Sequence, residues 1–240
     1  MSLFGKKKLV VVGLLSASVL SSLTSCSTVL SKVPAEKLNE PIRSMVLDAR
    51  EERAKVLKQY SVGSAQILDA QAVLLNALGF EEEALEAKEQ SQRITQSSSS
   101  GLDKEVAKGS KLNAKFNKLI SKENDKAAFG QAAYNKHVSL RSTARDRQFN
   151  LLITKAIPEI VVLTKALEGA SMMEKAAITA QADLYITVIN DFKKIDKLEE
   201  VVDAKAKDFG LAVKKRKNYK IDAALKKAVP KSGFSIPGFS

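Results

Sequence analysis

The chain has 240 residues with one cysteine, one histidine and no tryptophan, and its 39 basic residues outweigh 27 acidic ones for a formal charge of +12. The lone cysteine excludes an intrachain disulfide and a C-x-x-C-H haem attachment, and the lone histidine leaves zinc sites and nucleophilic triads without partners at recognisable positions. Abundant Ala, Leu, Lys and Glu with few prolines favour helix over strand, so an all-α fold is expected: an antiparallel bundle of about four to six long helices, with an extended N-terminal tether and a C-terminal tail.

Lys6, Lys7 and Lys8 open the chain, an apolar run follows from Leu9 to Leu20, and Ser21, Ser22 and Thr24 then make it small and polar. That order of charge, apolar core and cleavage zone is the order of a secretory signal. The run is about 12 to 15 residues, short of the roughly 20 that a bilayer-spanning helix takes. At its end stand Leu23, Thr24, Ser25 and Cys26. This quartet resembles the lipobox of bacterial lipoproteins, an aliphatic residue and two small ones before a cysteine. The resemblance covers the first 27 residues and implies cleavage before Cys26. It also implies a thioether from the Cys26 thiol to diacylglycerol and acylation of the new amine, with no other cofactor. It further implies an outer-membrane address facing the periplasm, because Ser27 stands where an aspartate would favour inner-membrane retention.

Removing residues 1–25 from the 240 leaves 215, of which 26–40 read as a tether, 41–229 as the helical bundle and 230–240 as an extended tail. The tether is suggested by Pro34 and Pro41 around a short polar piece. Ile42, Val46, Ala49, Arg53, Val56 and Tyr60 then follow spacings of four and three, and Ser64, Ile67, Gln71, Leu74 and Leu78 resume the rhythm beyond Gly63. They predict one long helix, weakened at Gly63 and ending near Gly79. Glu81, Glu82 and Glu83 suit the positive start of a second helix, which runs to the serines Ser97 to Ser100. Ser100 and Asp103 resemble a capping box for a third helix to about Ile120. Asn124 or Asp125 can cap the next segment, whose stripe is Phe149, Leu152, Ala156, Ile160, Leu163 and Leu167, with Pro158 expected to kink or divide it. After Ser171 the last long helix shows Ala177, Ala180, Leu184, Val188, Ile195, Leu198, Val202, Ala206 and Phe209. Gly210 marks a bend before a basic helix expected from about Leu211 to Val229.

That last stretch holds most of the surplus charge. Between Leu211 and Lys231 lie Lys214, Lys215, Arg216, Lys217, Lys220, Lys226, Lys227 and Lys231 against Asp222 alone. An amphipathic helix of this kind is either a solvated face of the bundle or a contact for an anionic surface, with Lys214, Lys215, Arg216, Lys217, Lys220, Lys226 and Lys227 as the contact residues. Nucleic acid is not an expected partner, since an exported chain does not meet it and no interleaved aromatics are present to stack bases.

No catalytic constellation emerges. Glycines are scattered singly, so no loop cradles phosphate. Glu51 with Glu52, and Glu199 with Glu200, read as solvated pairs. His137 reads as a surface or satisfied histidine, and Met172 and Met173 as packing residues rather than haem ligands to pair with it. No metal site is expected. The expectation is a non-enzymatic, lipid-anchored envelope protein with a membrane and an envelope protein as partners, and the alternative is a membrane-active protein using the basic C-terminal helix.

Overall fold

In a computed structural model, residues 34–98, 101–124 and 129–228 are described. The signal, the lipobox-like quartet, most of the tether and the tail from 229 lie outside them. Among the described residues there is no strand, and the chain forms an all-α helical bundle. A short 3-10 turn, Ala35–Lys37, precedes α1 (Glu40–Ala77), α2 (Glu81–Gln96), α3 (Leu102–Lys122), α4 (Gln131–Leu151), α5 (Ile157–Ala166), α6 (Met172–Asp208) and α7 (Ile221–Ala228).

The packed body starts earlier than Pro41, because Ala35 and Leu38 are already buried. Asn39 caps α1 by accepting from the Ile42 amide at 3.1 Å. The expected stripe is then buried at Val46, Ala49, Val56, Tyr60, Ser64, Ile67, Gln71 and Leu74. From Tyr60 onward α1 is buried on most of its circumference, since α2, α3, α4 and α6 all pack on it. The helix does not weaken at Gly63. The absent side chain there makes room for Gln148 of α4, whose Cγ would lie 2.5 Å from a Cβ at that position. A residue that reads as a helix weakener is a close-approach point between two helices.

The helix ends follow local chemistry. Gly79 (φ 79°) lets the Phe80 amide reach the Leu75 carbonyl at 2.9 Å and its own amide reach Asn76, which closes α1 with a Schellman motif. Gly210 (φ 72°) does the same for α6, with Leu211 donating to Ala206 and Gly210 to Lys207. Ser171 and Glu174 form a reciprocal capping box at the start of α6. The third helix is not capped as expected. Its N-cap is Gly101 with no side-chain hydrogen bond, and Ser100 lies outside the described residues. Likewise α4 begins after Gly130 rather than at Asn124, and Asp125 lies outside the described residues.

Pro158 neither breaks nor separates the fourth segment. A π-helical turn, Leu152–Ala156, carries α4 into α5, with the Ile157 amide donating five residues back to Leu152. The wider turn absorbs the missing proline donor, and the stripe Leu152, Ala156, Ile160, Leu163 and Leu167 stays buried through it.

Successive long helices reverse direction, so α1 and α6, four reversals apart, run parallel. Asn39 meets Glu174 at one end and Tyr60 donates to Asp191 at 2.9 Å further along. A methyl at position 63 would press on Gln148, whose amide donates to the Tyr60 carbonyl (3.3 Å) and the Ser64 hydroxyl (3.2 Å). Gly63→Ala should therefore destabilise the fold by about 1–3 kcal/mol despite alanine's higher helix propensity, measured as a lower urea midpoint by far-UV circular dichroism.

Candidate functional site

α4 carries Tyr134, His137, Arg141, Arg145 and Gln148 at intervals of three and four, all of them buried. α6 runs antiparallel beside it with Asp196, Glu199 and Asp203 at the same intervals. Both rows keep the helical rhythm of a core stripe but are written in polar residues. Hydrophobic patterning passes over them, and the spacing itself was the available signal.

The two rows interlock. Arg141 Nη1 lies 2.9 Å from Glu199 Oε2 and 3.2 Å from Asp203 Oδ1, and its Nη2 is 3.4 Å from Asp203 Oδ2. Tyr134 donates to Asp203 Oδ1 at 2.8 Å. Arg145 donates to the Phe192 carbonyl at 2.7 Å and lays its guanidinium over the Phe192 ring, 3.4 Å from the centroid. Glu199 is 1% exposed, which corrects the expectation that it is solvated, whereas Glu200 is exposed. Burial alone would raise the Glu199 carboxyl, but the His137 imidazole with Arg141 and Arg145 outweighs it and holds the carboxyl below its ordinary value. Arg141 mirrors this. Burial opposes its charge, and Glu199 and Asp203 more than restore it.

His137 is fully buried, not at the surface. Its Nδ1 is 2.8 Å from the Ala70 carbonyl of α1, which can only accept, so Nδ1 carries a hydrogen. Nε2 faces Glu199 Oε2 at 3.6 Å, an ion-pair separation rather than a hydrogen bond. One ring thus links α1, α4 and α6. The pairing of an imidazole with a carboxylate is the raw material of acid–base chemistry, yet the Nε2 and both Glu199 oxygens have essentially no accessible surface. These atoms are closed to solvent in this arrangement, and their contacts join three helices.

The basic segment after Gly210 departs from expectation. Residues 211–220 carry neither helix nor strand, and the helical part of this stretch among the described residues is Ile221–Ala228. The Schellman turn stops the preceding helix, and the next ten residues are held by side chains instead of a helical ladder. Arg216 donates to the Asp196 carbonyl at 2.8 Å and pairs with Glu200 and Asp203, both at 2.8 Å. Lys217 meets Asp146 at 2.7 Å. Tyr219 packs its ring 5.1 Å from Phe149 and 5.4 Å from Phe192. Gln131 exchanges two hydrogen bonds with the Ala212 backbone. The segment is a strap across α4 and α6, and Lys193 of α6 pairs with Asp222 just beyond it.

Of the basic residues expected on an anionic surface, Arg216 and Lys217 are spent on these internal ion pairs. Lys214, Lys215, Lys220, Lys226 and Lys227 are exposed. The lipidation residue Cys26 and the motif residues Leu23, Thr24 and Ser25 lie outside the described residues. Met172 and Met173 are not packing residues, being 89% and 40% exposed. His137 sits level with Ala70 and Met172 level with Asn39, about 45 Å apart along α1 at the helical rise, so they share no haem site.

Between α1 and α5 an open groove of about 450 Å³ is lined by Asp48, Glu51, Glu52 and Glu159 with Lys55 and Lys155. Glu51 is solvated as expected, but Glu52 is half-buried and pairs with Lys155 at 3.3 Å. Burial, reinforced by Glu52 and Asp48, raises the Glu159 carboxyl. Among the described residues no group of three or more His, Cys, Asp or Glu is placed to hold a metal ion. No family model, curated protein or solved structure matches this chain.

The seam of buried charges makes two outcomes measurable. The Glu199 carboxyl lies below its ordinary value of 4.5 in the fold, so its contribution is fully present above that value and is lost as pH falls through the lower one. Glu199→Gln should cost about 1–3 kcal/mol at neutral pH by removing one of the two carboxylates that face buried Arg141, and its stability should then fall less steeply than that of the unchanged protein between neutral and acid pH, in parallel urea titrations. Arg216→Ala should free the strap while leaving the bundle helical, seen as several-fold faster tryptic cleavage after Lys214 and Lys215 with an unchanged circular dichroism spectrum.

Proposed function

We propose that this chain is a lipid-anchored envelope protein whose helical body acts as a non-enzymatic structural or interaction module at the membrane surface. The observation that carries the reading is Cys26, the only cysteine, standing directly after Leu23, Thr24 and Ser25 at the end of a short apolar run led by three lysines. Lipid on that residue supplies the membrane hold. Each buried methylene contributes about 0.8 kcal/mol, so two or three acyl chains hold almost permanently where one binds marginally.

The body is consistent with such a role. Among the described residues no helix is long and apolar enough to cross a membrane, so a hold on the bilayer by this part of the chain needs another device. Its one imidazole–carboxylate pairing is sealed among helices and serves their alignment, which favours a scaffold over a catalyst. The partner in this reading is another envelope component, and the address is the periplasmic face of the outer membrane, since Ser27 rather than an aspartate succeeds the cysteine. Lys214, Lys215, Lys220, Lys226 and Lys227 remain exposed and are available to an acidic face of that envelope partner.

Cys26→Ala should convert the protein from membrane-bound to soluble in cell fractionation. Retention of that variant on membranes through high salt and alkaline wash would show a different anchor.

A further inference from the structure

We propose that the end of the bundle formed by the first turns of α1 and α6 rests on the lipid bilayer, with Met172 and Met173 inserted at the boundary between headgroups and acyl chains. The inference rests on the proposed lipidation of Cys26 and adds to it an orientation and a second, protein-borne contact.

The two methionines occupy the first turn of α6, where Met172 is the most exposed large apolar side chain among the described residues at 89%, and Met173 beside it is 40% exposed. Methionine's unbranched, polarisable side chain suits a soft apolar environment better than water. Their place in the fold is set by a local staple. Glu174, the third residue of α6, closes the Ser171 capping box and accepts from the amide of Asn39, the cap of α1, at 3.4 Å. The parallel helices therefore start side by side, and the methionines sit where the chain arrives from its N-terminal segment.

Chain length then selects the surface. From Cys26 to Pro34 is eight residues, at most about 29 Å if fully extended. α1 alone, at 38 residues, is about 57 Å long. An anchored Cys26 keeps the Asn39 and Met172 end close to the bilayer, while the opposite end at Gly79 and Gly210 lies beyond the reach of the tether in an upright bundle. Leu47 and Val162, also exposed, belong to the same half of the molecule, whereas Leu85 and Leu140 stand singly in the other half. Lying on the α1 and α5 side would press Asp48, Glu51, Glu52 and Glu159 against anionic headgroups, a like-charge contact.

The test uses the full lipidated protein in vesicles of phosphatidylethanolamine and phosphatidylglycerol. Acylation blocks Cys26, so Met172→Cys, Asn76→Cys and Lys214→Cys each present one free thiol, all at exposed positions. Each carries an environment-sensitive fluorophore, read with nitroxide-labelled lipids and with iodide in the water. The expected result is a blue-shifted dye at position 172, quenched several-fold more by nitroxide than at 76 or 214 and shielded from iodide. Equal quenching at all three positions, or the strongest quenching at 214, overturns the upright orientation. Shielding at 172 that requires added envelope proteins assigns the methionines to a protein partner and overturns it as well. Flotation of the same samples reads the anchor separately. Protein that floats with an exposed dye at 172 refutes the orientation alone, and protein that fails to float refutes both readings.

Discussion

Arg141 sits between Glu199 and Asp203 with almost no access to water, and the arrangement of α4, α6 and the strap depends on that contact. Removing charges from water costs several kcal/mol for each ion, which attraction in the interior repays only when geometry and hydrogen bonding are good. Here Tyr134 completes Asp203, and His137 with Arg141 and Arg145 holds the Glu199 carboxyl below its ordinary value despite burial. The net gain in stability over an apolar seam is modest. The penalty for losing a partner is large, because a buried charge left unpaired keeps its full desolvation cost.

The same carboxylates organise the stretch of chain beyond α6. Asp203 takes Arg141 from inside and Arg216 from outside, and Asp196 and Glu200 complete the outer row. The strap is thereby tied to the seam through a shared acid. Part of the C-terminal positive charge, which as a count suggests a basic surface, is neutralised within the fold. The exposed lysines that remain are spread along an irregular segment and one short helix rather than gathered on one long amphipathic helix.

At the opposite end of α6, Glu174 joins the starts of α1 and α6 through backbone donors. One end of the molecule is therefore both the arrival point of the chain and the place where two methionines meet solvent. A tether and an apolar tip at the same end suit the proposed lipid-anchored module, with the groove and the strap left facing sideways.

Local chemistry along the chain was enough to read the helical class, the stripes of α1, α5 and α6 and the glycine stops at Gly79 and Gly210, because each depends on residues within a turn or two of one another. The lipobox-like quartet is legible for the same reason. What only the tertiary structure decided depends on residues far apart in sequence. Gly63 is a contact because Gln148 lies across it, Glu199 is buried because α4 brings His137 and Arg141 to it, and residues 211–220 form a non-helical strap because α6 offers Asp196, Glu200 and Asp203 to Arg216. Spacing within one helix names a face, but whether that face meets water, carbon or an opposite charge is settled by the helix that packs on it.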